Sequence, residues 1–213
     1  MKLKFCGFRT LEDVAKVRDL NIDAIGFIHY PKSKRYVDVP TIKQFTDIIP
    51  KHIEKVVVVV NPNFDTISNL IESTSLTAIQ LHGSESIEFI QQIKRLFPHI
   101  KLIKALPASD KDALSNAIEY YRTDIDLFII DTPSESYGGT GKVYNWEILQ
   151  GLTGIEFLIA GGIDLENINK IEQLELAHSG YDIASGIESE DVKDINKMKD
   201  IILKVKEKKY DAT

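Results

Sequence analysis

Eight short apolar runs recur along this chain, and no two consecutive ones lie close enough to pair through a hairpin turn. They are Lys2 to Phe5, Ala24 to Ile28, Lys55 to Val60, Ala78 to Leu81, Lys101 to Lys104, Leu127 to Ile130, Glu156 to Ile159, and Asp182 to Ala184. Val56 to Val60, valines in unbroken succession, suit a strand buried on both faces. The segments between have helical spacing. Leu11, Val14 and Ala15 follow Thr10; Ile67, Leu70 and Ile71 follow Asp65; Ile87, Ile90 and Ile93 follow Ser84 or Ser86. Leu114, Ala117 and Ile118 follow Ser109-Asp110, Ile168, Ile171 and Leu174 follow Asp164, and Ile195, Met198, Ile201 and Ile202 form the last helix. The residues that precede these segments are N-cap candidates.

Strand and helix are thus expected to alternate eight times, which implies a parallel α/β sheet, because parallel strands need long crossovers. Eight units point to a closed (β/α)8 barrel, the TIM-barrel arrangement, as a single compact domain over residues 1–205. The lysine-rich tail, residues 206–213, is expected to fray. The alternative is an open doubly wound sheet, which normally carries a glycine-rich turn after its first strand; Gly7-Phe8-Arg9 is not one.

Composition narrows the function classes. A net charge of -6 gives no global basic surface for nucleic acid. One cysteine excludes an internal disulfide and a cysteine-rich zinc site. No apolar run approaches the length of a membrane span, and the N-terminus enters a strand without a signal-peptide pattern, so the chain reads as cytoplasmic.

Chemistry collects at the strand ends, which in a barrel converge on one mouth. Cys6 ends the first run. Taken alone it reads as a small buried hydrophobe; at a barrel mouth a thiolate is a base or nucleophile. Arg35, in the basic stretch Lys32 to Arg35, reads by itself as a solvated charge; at the mouth it suits a carboxylate. Gln80 and His82 are either core hydrogen-bonding groups or pocket residues. Asp131 is either a loop cap or a catalytic acid. Paired with His82 it finds no convincing third metal ligand, and His29, His52, His99 and His178 have no metal-ligand spacing. Gly161-Gly162 and Ser185-Gly186 follow the last two runs, where barrels commonly bind phosphate through backbone N–H groups, helped by a short extra helix, here expected at Ile187 to Glu190. Gly138-Gly139-Thr140-Gly141-Lys142 resembles a Walker A loop but has Ser136 and Val143 where that motif needs Gly and Ser or Thr. It reads instead as part of a long loop, Thr132 to Asn145, of the kind that forms lids.

Taken together, Lys4-Phe5-Cys6-Gly7, Ser33 to Val37, Gln80-Leu81-His82-Gly83, Asp131 with Gly138 to Lys142 and Trp146, Ala160 to Ile163, and Asp182 to Glu188 resemble the phosphoribosylanthranilate isomerase family of tryptophan biosynthesis. The resemblance runs from Lys4 to about Glu188. It implies a (β/α)8 barrel that needs neither metal nor organic cofactor and carries out an Amadori rearrangement of N-(5-phosphoribosyl)anthranilate. It implies Cys6 as general base, Asp131 as general acid and Arg35 as the carboxylate binder. Gln80, His82, Gly161, Gly162, Asp182, Ser185 and Gly186 become substrate-binding residues. Lys34 departs from the family, which often has proline there, and Ala184 stands where serine is frequent. The implied partner is the phosphosugar-anthranilate substrate, with no nucleic acid and no membrane, in a monomer or homodimer. The rivals are another phosphosugar barrel, such as ribulose-phosphate epimerase or indole-glycerol-phosphate synthase, and a barrel that binds a metabolite without turning it over. The epimerase expects metal-binding histidines and acids; the synthase expects an N-terminal extension and a lysine pair.

Overall fold

The structure is a computed structural model that describes residues 1–133 and 145–207. Eight parallel strands close into a barrel: β1 (Lys2–Cys6), β2 (Ala24–Ile28), β3 (Glu54–Val59), β4 (Ala78–Leu81), β5 (Lys101–Pro107), β6 (Leu127–Asp131), β7 (Phe157–Ile159) and β8 (Gly180–Ile183). Each pairs with its successor, and β8 returns to β1 with Lys2 opposite Gly180 and Lys4 opposite Asp182. The eighth strand thus begins two residues earlier than its apolar run suggests. Gly180 belongs to it because β1 passes so close that a Cβ there would lie 1.8 Å from the Lys2 carbonyl oxygen.

Alternation along each strand divides the core into two layers. Leu3, Phe5, Val57 and Val59 point outward into the main apolar core beneath the helices. Ala24, Val56, Ala78, Leu127 and Leu158 point inward and fill the barrel. The β3 valines are therefore buried on both faces, and each such side chain contributes about 1.5–3 kcal/mol relative to exposure.

Seven α-helices cover the barrel among the described residues: α1 (Leu11–Ala15), α2 (Val39–Ile48), α3 (Phe64–Ser73), α4 (Ile87–Leu96), α5 (Lys111–Tyr121), α6 (Leu165–Glu172) and α7 (Ile195–Lys206). Thr10, Asp38, Asn63, Ser86, Asp110, Asp164 and Asp194 cap them, each side chain accepting a backbone N–H of the first turn. The cap of α3 is Asn63, not Asp65; Asp65 sits inside the first turn, where its charge still suits the helix dipole. Among the described residues between β6 and β7 the one helical element is a 3-10 turn, Trp146–Leu149, whose Trp146 and Leu149 pack into the apolar core. A further expectation is corrected. After β8 no helix spans Ile187 to Glu190. A 3-10 turn, Ser185–Ile187, leads instead into a two-stranded ribbon, β9 (Glu188–Ser189) and β10 (Val192–Lys193). Glu190 and Asp191 take φ of 52° and 62°, which turns the chain into a hairpin and ends the helical path. The last residue of α7, Lys206, binds Asp23 Oδ2 at 2.5 Å, and Asp23 also accepts the Leu3 N–H. No helix among the described residues is long and apolar enough to cross a membrane.

A buried ion pair ties the mouth together on one side. Lys104 of β5 donates to Glu85 Oε2 at 3.1 Å and to the carbonyls of Leu81, Gly83 and Ala105. Glu85 in turn accepts the N–H groups of Asn61 and Gly83. Removing one partner of such a pair leaves an uncompensated buried charge. Glu85→Ala is therefore expected to lower stability by about 3–5 kcal/mol, whereas Glu85→Leu combined with Lys104→Met recovers most of the loss. Chemical denaturation of the three proteins checks this; a single variant as stable as the parent would refute it.

Candidate active site

The C-terminal ends of the strands enclose a cavity of about 660 Å³, measured out to the open solvent at its mouth. Cys6, Arg35, Gln80, His82, Asp131, Gly161, Gly162, Asp182 and Ser185 all line it. Gly186 does not; it lines a neighbouring groove with Gly162, Ser185 and Lys197 of α7.

Cys6 faces inward on the same side of β1 as Lys4, two residues earlier. Lys4 donates to Asp182 Oδ1 of β8 at 2.8 Å, and both residues are buried. The thiol fits because β2 presents glycine opposite it: a Cβ on Gly26 would lie 2.6 Å from Cys6 Sγ and 3.2 Å from Lys4 Nζ. Burial pushes the thiol up from its ordinary value; Lys4 and Lys193 pull it down, and Asp182 adds to the upward push.

Arg35 is buried, not solvated. Its guanidinium grips Glu188 of β9 with two hydrogen bonds, 2.9 Å from Nε to Oε1 and 2.6 Å to Oε2. Gly7, at φ +83°, leaves the space this requires, since a Cβ there would lie 2.5 Å from Arg35 Cδ. Lys193 of β10 closes the group, donating to Glu188 Oε1 at 2.7 Å and to the carbonyls of Cys6 and Ala184. Burial disfavours the Glu188 charge, but Arg35 and Lys193 outweigh it and bring the carboxyl down to about 2. Lys34 fastens the same ribbon from outside through Asp191, at 2.7 Å, so the lysine ties a loop that proline would merely stiffen.

Across the mouth, Asp131 ends β6 with Oδ2 3.5 Å from His82 Nε2, and Oδ1 accepts the Thr132 N–H at 2.7 Å. Gln80 Nε2 lies 3.2 Å from His82 Nδ1. Burial, with the charges of Lys104 and Lys4, pushes His82 down to about 4, so the ring is neutral. With Nδ1 accepting from Gln80, the ring proton sits on Nε2 and faces Asp131. Burial pushes Asp131 up to about 6; Asp182 adds to this, while Thr132 and Lys4 oppose it.

The last two loops are backbone surfaces. Gly161 and Gly162 have φ of +80° and +65°, and a Cβ on Gly161 would collide with Thr132 and Asp131. Gly186 abuts the β7–α6 loop so closely that a Cβ would lie 1.9 Å from Ile163 O. Small residues are obligatory on both sides of this approach. Asp164 caps α6, and Asn167 donates to Gly162 O, fixing the first of the two loops. The Gly138 to Lys142 stretch and most of the expected lid loop lie outside the described residues.

Sequence reasoning missed several participants. Lys4, Gly26, Glu188 and Lys193 carried no assigned role. The Lys4 signal was present: a lysine two positions before an inward Cys6 shares its face. Glu188 and Lys193 depend on a ribbon of two-residue strands, too short to show periodicity.

The Asp131 environment has a consequence for stability. A carboxyl whose folded-state value is raised from 3.8 to about 6 favours the fold only while protonated. That contribution is complete below about 3.8 and is lost as pH rises through about 6. Asp131→Asn is therefore expected to be more stable than the parent above pH 6, by on the order of 2–3 kcal/mol, with the difference vanishing near pH 4. Melting of both proteins across that range tests it; a variant less stable at pH 7 to 8 would contradict it.

Comparison with known proteins places this geometry. The family model for N-(5'phosphoribosyl)anthranilate (PRA) isomerase matches residues 3–204. The N-(5'-phosphoribosyl)anthranilate isomerase of Staphylococcus aureus is 54% identical over 206 residues, covering 97% of each chain. The phosphoribosyl anthranilate isomerase structure from Thermotoga maritima superposes with a TM-score of 0.84 at 29% identity, covering 95% of this chain and 97% of that one. A phosphoribosyl anthranilate isomerase in complex with reduced 1-(O-carboxyphenylamino)-1-deoxyribulose 5-phosphate gives a TM-score of 0.80 at 26% identity, with the same coverage. With its eight-stranded barrel and the match across nearly all of its length, the chain belongs to the N-(5'-phosphoribosyl)anthranilate isomerase family.

Proposed function

We propose that this protein converts N-(5-phosphoribosyl)anthranilate into 1-(2-carboxyphenylamino)-1-deoxyribulose 5-phosphate by an Amadori rearrangement in tryptophan biosynthesis, with Asp131 as general acid and Cys6 as general base. The observation that carries the reading is the pairing of Cys6 with a raised-pKa Asp131 on one cavity, in a member of this family. Asp131 protonates the ring oxygen as the C–O bond breaks, and the sugar opens to an iminium. The iminium acidifies the C2 hydrogen, which the Cys6 thiolate removes. The resulting enolamine gains a proton at C1 and relaxes to the ketone. Solvent restores the two enzyme groups. An ordinary aspartate, near 3.9, holds almost no proton at neutrality; one near 6 holds an appreciable fraction.

The order of strands around the barrel orients the substrate in this proposal. Backbone N–H groups after β7 and β8, at Gly161, Gly162, Ser185 and Gly186, take the phosphate. The anthranilate ring lies at the opposite side of β1, against Ile28, Val58 and Val60, which line the cavity at the ends of β2 and β3. Arg35 at that end takes the carboxylate on the guanidinium edge that Glu188 leaves open. Cys6 then stands between the two ends, and Gln80 and His82 hold Asp131 in place. The proposal places the reaction in the cytoplasm, on a diffusible phosphorylated substrate.

Cys6→Ser is expected to fold normally and lose about 10²–10⁴-fold in turnover, because a hydroxyl of much higher pKa cannot replace a thiolate base. Asp131→Asn should lose turnover while still binding a product analogue. Both are read by the disappearance of anthranilate fluorescence during single turnovers, with substrate made in place from anthranilate and phosphoribosyl pyrophosphate. Near-normal turnover of folded Cys6→Ser would remove the thiol from the mechanism. Arg35→Ala should weaken substrate by about ten- to a hundredfold, in line with a charged hydrogen bond of about 1.5–3 kcal/mol. A substrate analogue lacking the carboxylate should bind parent and variant alike. Equal losses for both ligands would mean that Arg35 only anchors the ribbon through Glu188.

A further inference from the structure

We propose that Lys4 is a positioning residue for the Cys6 thiol: held inside the barrel by Asp182, its ammonium supplies the positive charge against which a Cys6 thiolate forms. The inference deepens the reading of Cys6 as the base and rests on it.

Three observations carry it. The first is direction. Lys4 and Cys6 are two residues apart on β1 and share its inward face. The second is space. Gly26 stands opposite Cys6, and a single carbon added there would meet both Sγ and Nζ, at 2.6 and 3.2 Å. The barrel omits a side chain at the point where thiol and ammonium come together. The third is energetic. The rest of this layer is apolar, with Ala24, Val56, Ala78, Leu127 and Leu158 filling the interior. An ion pair in such a place is commonly replaced by apolar residues with no loss of stability, so stability alone gives no reason for Lys4 and Asp182. Asp182 accepts one N–H of an ammonium that has three, which fixes the cation while leaving donors for the thiol.

The other charges around Cys6 are already committed. Lys193 of β10 donates to Glu188 and to two carbonyls, and Arg35 of the β2–α2 loop is bound by the same Glu188. Asp182 of β8 opposes the thiolate, and Asp131 lies across the mouth beside neutral His82. Among these groups Lys4 exerts the largest pull on the thiol toward the thiolate. Burial in turn works against the ammonium itself, but Asp182 and Cys6 hold it above its ordinary value, so it stays charged in the barrel.

The test is the pH dependence of Cys6 alkylation by iodoacetamide, a neutral reagent, followed by intact mass. Cys6 is the only cysteine, so no other thiol contributes. Lys4→Gln removes the charge and keeps an amide within reach of Asp182. Lys4→Met with Asp182→Asn removes both charges and leaves no buried ion unpaired, so it carries the test where the single variant does not fold. The alkylation midpoint is expected to rise by at least about one unit in Lys4→Gln, slowing the reaction at neutral pH about tenfold or more. The double variant should shift in the same direction by less, because Asp182 no longer opposes the thiolate. A midpoint unmoved or lowered in the folded variants overturns the proposal; a merely structural Lys4 would change melting and leave the midpoint in place. Turnover of Cys6→Ser reports separately on Cys6 as the base, so the two readings fail by different measurements.

Discussion

Closing eight strands into a barrel requires β8 to pair back with β1, and the two meet where the backbone admits no side chain at Gly180. That register sets the barrel interior. With Lys2 opposite Gly180, Lys4 stands opposite Asp182, and both point inward. Cys6 then stands one inward step higher, at the mouth. A slip of β1 by one residue would turn Lys4 and Cys6 outward into the apolar layer beneath the helices and leave Asp182 without its partner. The core outside the barrel and the chemistry inside it are therefore set by the same pairing.

The mouth combines two kinds of electrostatic environment. On the β1, β8 and ribbon side, Lys4, Lys193 and Arg35 gather around Asp182 and Glu188. On the β4 and β6 side, Asp131 faces a neutral imidazole. Burial raises both the Cys6 thiol and the Asp131 carboxyl, and their surroundings modify that rise differently. Lys4 and Lys193 oppose that rise at Cys6, whereas Asp131, beside the uncharged ring, is brought up to about 6. Cys6 and Asp131 thus line one cavity in unlike charge environments.

The ribbon after β8 shows how a small element serves the site. Glu190 and Asp191 turn the chain, and its two strands deliver Glu188 and Lys193 back over the mouth. Arg9, Lys16 and Lys34 clasp it from outside, through Asp191 and the Lys193 carbonyl. The loops after β1, β2 and β8 are thus joined around the Cys6 end of the cavity, while Lys104 and Glu85 join the loops after β3 and β4.

Alternating apolar runs and helical segments, and with them the parallel barrel, were legible along the chain, because these signals are local and repeat. Ala24–Ile28 and Ala78–Leu81 are strands residue for residue, and four of the helices carry caps visible in their sequences, at Thr10, Ser86, Asp110 and Asp164. The polar strand ends were equally legible: Cys6, Arg35, His82 and Asp131 line one cavity because every parallel strand ends at the same rim. Long-range packing settled the remainder. It replaced an expected helix after β8 with a ribbon, gave Arg35 a carboxylate partner 153 positions away, and joined Lys4 to Asp182 across 178. Glycine carries no pattern of its own, so the reason for Gly26 emerged only when Cys6 came to lie beside it. Periodicity reports which face a residue takes; which residue it meets there is settled by barrel closure, which brings the two ends of the chain together.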